Sequence, residues 1–210
     1  NRTQTTSQPP NFRQMVEVIR YDHIFLLLVL ANLMFSIIYS QANATLPQIV
    51  TLIDEVWAAK VIVMLTVVNC VTVVALQFPL LRLMEHLALT LRTQIGVGVL
   101  LLSQLLFMVM DERSMVMWGV TFFLFSVAEV IVVPTLGVHI DQLAKEGMRG
   151  SYFGAGAFAD LGSALGPVIG GMIITGFVSD VYFVFTTVLC VVMLMLYGSI
   201  ARRQKTGIAQ

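Results

Sequence analysis

VYFVFTTVLCVVMLMLYGSIA, residues 181–201, runs for 21 residues without a charged side chain. A bilayer core is crossed by about 20 mostly apolar residues in helical form. The stretch shows none of the alternating polarity a spanning strand would need, so it reads as a transmembrane helix and not as part of a β-barrel. The whole chain points the same way. Of its 210 residues 58% are hydrophobic and 11% charged, with a mean hydropathy of +0.88, against about 25% charged in soluble domains. Twelve Lys and Arg balance twelve Asp and Glu, leaving no basic excess for phosphates, so nucleic acid is not expected as a partner.

Outward from residues 181–201, five more runs qualify: 24–46, 58–81, 95–110, 115–138 and 152–177. Together they predict an all-α bundle of six transmembrane helices over residues 12–201. The opening NRTQTTSQPPN (1–11) is polar and carries two prolines, too polar for a signal segment and unable to build a core. It reads as a flexible linker, expected to be a central interdomain loop because the chain starts with Asn1 and not Met. Residues 202–210 read as a tail. Cations mark orientation, since Lys and Arg near span ends stay on the cytoplasmic side. Ten of the twelve fall on one side: Arg2, Arg13, Arg20, Arg82, Arg92, Lys145, Arg149, Arg202, Arg203 and Lys205. Lys60 and Arg113 fall on the other. Both termini are therefore expected in the cytoplasm, and Trp57 and Trp118 are expected as headgroup anchors at the outer ends.

Polar groups inside spans cost free energy unless paired or hydrated, so their faces mark a cavity or a helix contact. In the first span Asn32, Ser36, Tyr39 and Asn43 recur at helical spacing, with Gln41 beside them. The second span repeats the pattern with Thr66, Asn69 and Gln77. Cavity lining and interhelical hydrogen bonding both fit. The third and sixth spans carry only neutral polar groups such as Ser103, Gln104, Thr186 and Thr187, and are expected as outer, lipid-facing supports. Two carboxylates lie within spans, Glu129 in the fourth and Asp160 in the fifth, at similar depth. If they face one another, low dielectric and like charge would let one exchange a proton near neutrality. The fifth span carries Gly162, Gly166 and Gly170 at steps of four, a stripe for close helix packing, and Pro167 is expected to kink it.

Enzyme signatures are lacking: no Walker loop, GxSxG, CxxC or HExxH occurs. His23, His86 and His139 are widely separated, and Cys70 and Cys190 sit in apolar runs. Neither a metal nor another cofactor is expected, and the chain is not expected to be an enzyme.

Three stretches carry a family resemblance. VIRYDHIFLLLVLANLMFSIIYSQANATLP (18–47) is similar to the entry of a seventh helix, and FPLLRLMEHLALTLRTQIGVG (78–98) to a loop joining eighth and ninth helices. AEVIVVPTLGVHIDQLAKEGMRGSYFGAGAFADLGSALGPVIGG (128–171) is similar to a tenth-to-eleventh hairpin. Together they resemble the C-terminal half of a major facilitator superfamily transporter, drug:proton antiporter-like. The 78–98 loop departs from the family by lacking a Gly-x-x-x-Asp core.

The resemblance implies half of a twelve-helix fold, built from two inverted three-helix repeats, and multi-pass insertion in a bacterial plasma membrane. It implies a secondary active transporter that exports small, partly apolar compounds against protons, as in multidrug efflux, by alternating access. On that reading Glu129 and Asp160 couple to protons, while Asn32, Tyr39, Gln41, Asn69, Phe122 and Phe125 line the substrate path, with Met64 and Met117 as adaptable apolar contacts. The partners expected are substrate, protons, lipid, and a missing N-terminal six-helix half or a second copy. A sugar or metabolite symporter of the same fold is one alternative. A non-transporting membrane scaffold or partner subunit is another.

Overall fold

A computed structural model describes residues 20–177 and 179–205; the linker expected at 1–11 and the end of the tail lie outside them. Six helical spans are long and apolar enough to cross a membrane: His23–Ile53, Glu55–Leu83, Leu89–Val109, Met115–Leu143, Arg149–Gly176 and Asp180–Gln204. No strand occurs among the described residues. The first span is two helices, α1 (His23–Tyr39) and α2 (Thr45–Ile53), joined through a 3-10 turn at Ser40–Ala42. The next three are single helices: α3 (Glu55–Leu83), α4 (Leu89–Val109) and α5 (Met115–Leu143). The fifth span is α6 (Arg149–Gly156) and α7 (Leu161–Gly176) around a 3-10 turn at Ala157–Asp160, and α8 (Ser179–Lys205) closes the bundle. Most spans run several residues past their apolar runs, because a helix keeps its backbone bonds into the polar headgroup region.

Local chemistry sets the helix starts. The Asp22 carboxylate accepts from the Phe25 amide at 3.0 Å, that of Asp54 from the Trp57 amide at 3.0 Å, and the Ser114 hydroxyl from the Met117 amide at 3.3 Å. Each satisfies a first-turn N–H that the helix itself cannot. The kink expected at Pro167 is not an interruption, since α7 continues through it, as α3 does through Pro79 and α5 through Pro134. The break lies upstream, just after Gly154 and Gly156. A proline removes one backbone bond, which a packed helix absorbs by bending. Two glycines within three residues lower helix preference over a whole turn. Asp160 thus sits on the 3-10 turn instead of within a helix, and its side chain is exposed.

Packing corrects two further expectations. α4 and α8 pack against one another, α4 also against α5 and α8 against α1, so they are not merely outer supports. They do present Leu102, Leu105, Val184 and Val188 outward, but their Ser103, Gln104, Thr186 and Cys190 are fully buried. Trp118 is not an interfacial anchor. It is fully buried against Phe107, whose ring stacks on Phe183 at 5.0 Å, and its indole N–H donates to the Glu112 carbonyl at 2.9 Å. A partner inside the bundle makes the headgroup level unnecessary for this ring. The most exposed spans are instead the second and the fifth.

α7 meets the first span along its glycines. A Cβ on Gly162 would strike the Leu33 carbonyl oxygen, one on Gly166 the Ser40 hydroxyl, and one on Gly170 the Thr45 hydroxyl. Pro167 lies half-buried in the same helix. A second close approach, unread in the sequence, sets Gly96 of α4 against Val132 and Ile131 of α5. Gly162→Ala should destabilise the bundle by about 1–3 kcal/mol, because backbone cannot step aside as a side chain can. Gly154→Ala, where a Cβ meets nothing within 4 Å, should be neutral or stabilising by up to about 1 kcal/mol. Thermal unfolding in detergent, followed by helical circular dichroism, compares the two.

Candidate functional site

Glu129 lies in the middle of α5, half-buried, where a carboxylate needs hydrogen-bond donors to offset its desolvation. It finds one on each of two other spans. The Tyr39 hydroxyl, at the end of α1, donates to Oε1 at 2.9 Å. The Asn69 amide of α3 donates to Oε2 at 2.7 Å and also reaches the Ser126 hydroxyl at 3.1 Å. Ser126 in turn donates to the Phe122 carbonyl one turn back. Both partners of the carboxylate are neutral, and no cation pairs with it among the described residues.

An aromatic ladder fixes the tyrosine. Phe35 stacks on Tyr39 at 5.8 Å, Tyr39 on Phe125 at 6.4 Å, and Phe125 on Phe122 at 5.2 Å, with interplanar angles of 14°, 7° and 12°. Rings held this way leave the phenol little freedom beyond its hydroxyl rotation. The carboxylate opens on a cavity of about 190 Å³ between the first, second and fourth spans. Tyr39, Asn43, Thr66, Asn69 and Glu129 give its polar wall; Ala42, Pro47, Ile62, Leu65 and Phe122 give its apolar one. Pro134, one turn beyond Glu129, has no N–H to offer the Val130 carbonyl, so the backbone beside the acid is also short of a donor.

The residues singled out from the sequence divide. Tyr39, Asn69, Phe122 and Glu129 converge on the cavity. Phe125 is buried behind it, as a rung of the ladder. Asn32 is buried elsewhere, accepting from the Tyr197 hydroxyl of α8 at 3.1 Å. Gln41 is also fully buried, its amide donating to the Gln104 carbonyl oxygen at 3.3 Å; the Thr186 hydroxyl meets the same oxygen at 2.8 Å. Asp160 is exposed on its 3-10 turn and is not among the cavity residues. Met64 packs against the core, while Met117 is exposed. Ser126 leaves no mark in the sequence, because one serine in an apolar run carries no periodic signal. Ala42, Pro47, Ile62 and Leu65 were invisible because apolar residues facing a cavity and facing lipid look alike in sequence.

No protein-family model matches the chain. Two curated proteins do. An uncharacterized MFS-type transporter of Bacillus subtilis, YqjV, is 28% identical over 172 residues, covering 80% of this chain and 41% of its own length. An uncharacterized MFS-type transporter of Escherichia coli, YdeE, is 29% identical over 157 residues, covering 73% of this chain and 39% of its own length. The matches support membership of the major facilitator superfamily. The six spans correspond to one half of that fold, and the protein is multi-pass in a membrane. The chain spans about two fifths of the length of the relatives it matches.

The cavity makes a labelling prediction. In a Cys70→Ser background, which removes the exposed native thiol, Asn43→Cys should react with a small water-soluble methanethiosulfonate reagent. Gln41→Cys, two residues earlier but fully buried, should react at least about tenfold more slowly, following its lower exposure. Mass spectrometry of the labelled protein reads both rates.

Proposed function

We propose that the chain is the C-terminal half of a proton-coupled secondary transporter that exports small, partly apolar compounds by alternating access. The observation that carries this reading is Glu129, a carboxylate in a spanning helix held only by neutral donors and open to a cavity. Such a group can take up and release a proton without breaking an ion pair. Ionised, it presents a negative charge beside Phe122, Ile62 and Leu65, a setting suited to a lipophilic cation. Protonated, it loses that charge and the attraction with it, so proton and cation compete for one site. This is the exchange an antiporter needs. The other wall of the path comes from six further helices or a second copy, both termini face the cytoplasm, and the membrane is a bacterial plasma membrane.

In this reading the exchange is carried by Glu129, since Asp160 is not among the residues lining the cavity. Its exposed position in the chain suits contact with whatever lies against α6 and α7. Glu129→Gln keeps an acceptor for Tyr39 or Asn69 and removes the exchangeable proton. In the intact protein in inverted vesicles, this variant should lose proton-gradient-driven ethidium transport by at least about 100-fold. Its detergent melting temperature should stay within a few degrees of wild type. Undiminished driven transport would remove Glu129 from the mechanism, and counterflow of labelled sugar but not ethidium would favour a symporter.

A further inference from the structure

A second cavity, of about 490 Å³, lies at the opposite end of α5 from its Ser114 cap. It is bounded by the α3–α4 loop, the start of α4, the last turns of α5 and the end of α8. Several hydrogen-bond donors meet there. Arg92 hands one guanidinium nitrogen, Nη2, to the Met84 carbonyl at 2.8 Å, and its buried Nε has no partner. His139 is 1% exposed, and neither of its ring nitrogens has a partner among the described residues; whichever tautomer it holds, one of them carries a hydrogen. Ala88, Leu89 and Thr90 line the same cavity, and they begin a 21-residue helix that no side chain caps. Their first-turn N–H groups and the positive end of the α4 dipole therefore face it.

Buried donors left without acceptors are rare in folded proteins and need an explanation. Here a charged guanidinium, a buried imidazole and a helix N-terminus share one space. The acid on its wall, Glu85, is exposed at the rim and makes no ion pair with Arg92. What satisfies all three is a ligand with several acceptor oxygens and negative charge. We propose that this cavity binds an oxyanion of the phosphate class through Arg92, His139 and the N-terminus of α4. Thr90, Gln142 and Gln204 stand on the same wall, each with a neutral group able to donate. Because Glu85 lies on that wall as a like charge, it weakens the site, and its removal strengthens it. The cavity lies where a span emerges, so the oxyanion reaches it either from solution or as the headgroup of a membrane lipid.

Thermal unfolding of the intact protein in detergent, with millimolar inorganic phosphate against chloride at equal ionic strength, tests the site. Nanodiscs of phosphatidylcholine with and without phosphatidylglycerol test the lipid source. Phosphate is expected to raise the melting temperature, Arg92→Gln to weaken its apparent affinity at least about tenfold, and Glu85→Gln to tighten it about threefold. Stabilisation by phosphatidylglycerol but not by inorganic phosphate, with the same two mutant effects, assigns the site to a lipid headgroup. A response to neither anion, or one that Arg92→Gln leaves intact, overturns the proposal. The exposed Glu85 guards against misfolding of the Arg92 variant, because a Glu85→Gln protein that binds no tighter than wild type also overturns it.

Discussion

A carboxylate among apolar helices has to be given donors by its neighbours, and Glu129 takes one from the first span and one from the second. That requirement ties both α1 and α3 to α5 through hydrogen bonds. It fixes the rotation of α3, since Asn69 must face α5, and it demands that α1 end near the acid, so that Tyr39 reaches it. The 3-10 turn begins directly after Tyr39, and the cavity forms where α1 gives way to that turn.

On the other side of the same turn, α7 presses its glycines against Leu33, Ser40 and Thr45. The first span is thus clamped between a polar contact on one face and a backbone approach on the other. Contact this close leaves no room for side-chain adjustment, so the position of Tyr39 is set partly by residues that never touch the acid. Burial follows this plan: the first and fourth spans, which carry Tyr39 and Glu129, are the most enclosed, while the second and fifth are the least.

How much of this was legible in the sequence follows from the kind of signal each feature leaves. Six spans leave runs of about 20 apolar residues, and those were readable to within a few residues at most ends. Glu129 stood out because an acid in hydrocarbon is costly wherever it faces. Asp160 had the same signature and a different fate: it sits on an interrupted stretch and points outward in the chain. Asn32 and Gln41 have cavity-like spacing but make their hydrogen bonds to α8 and α4. Periodicity finds the face of a helix, and it cannot say whether cavity or neighbouring helix lies opposite. The unpartnered histidine at the far end of α5 was equally unreadable, since its surroundings include residues 85–92 and the end of α8, both far from it in sequence.

The outer face of α3 presents Val63, Val67, Val71 and Val74 in a row. Valine branches at Cβ and holds essentially one rotamer in a helix, so little torsional freedom remains to be lost when something lies against it. Hydrocarbon or protein arriving there meets a surface already frozen in shape, and leaving it releases little disorder in return. Such a face can exchange one neighbour for another many times with scarcely any entropic toll on its own side chains.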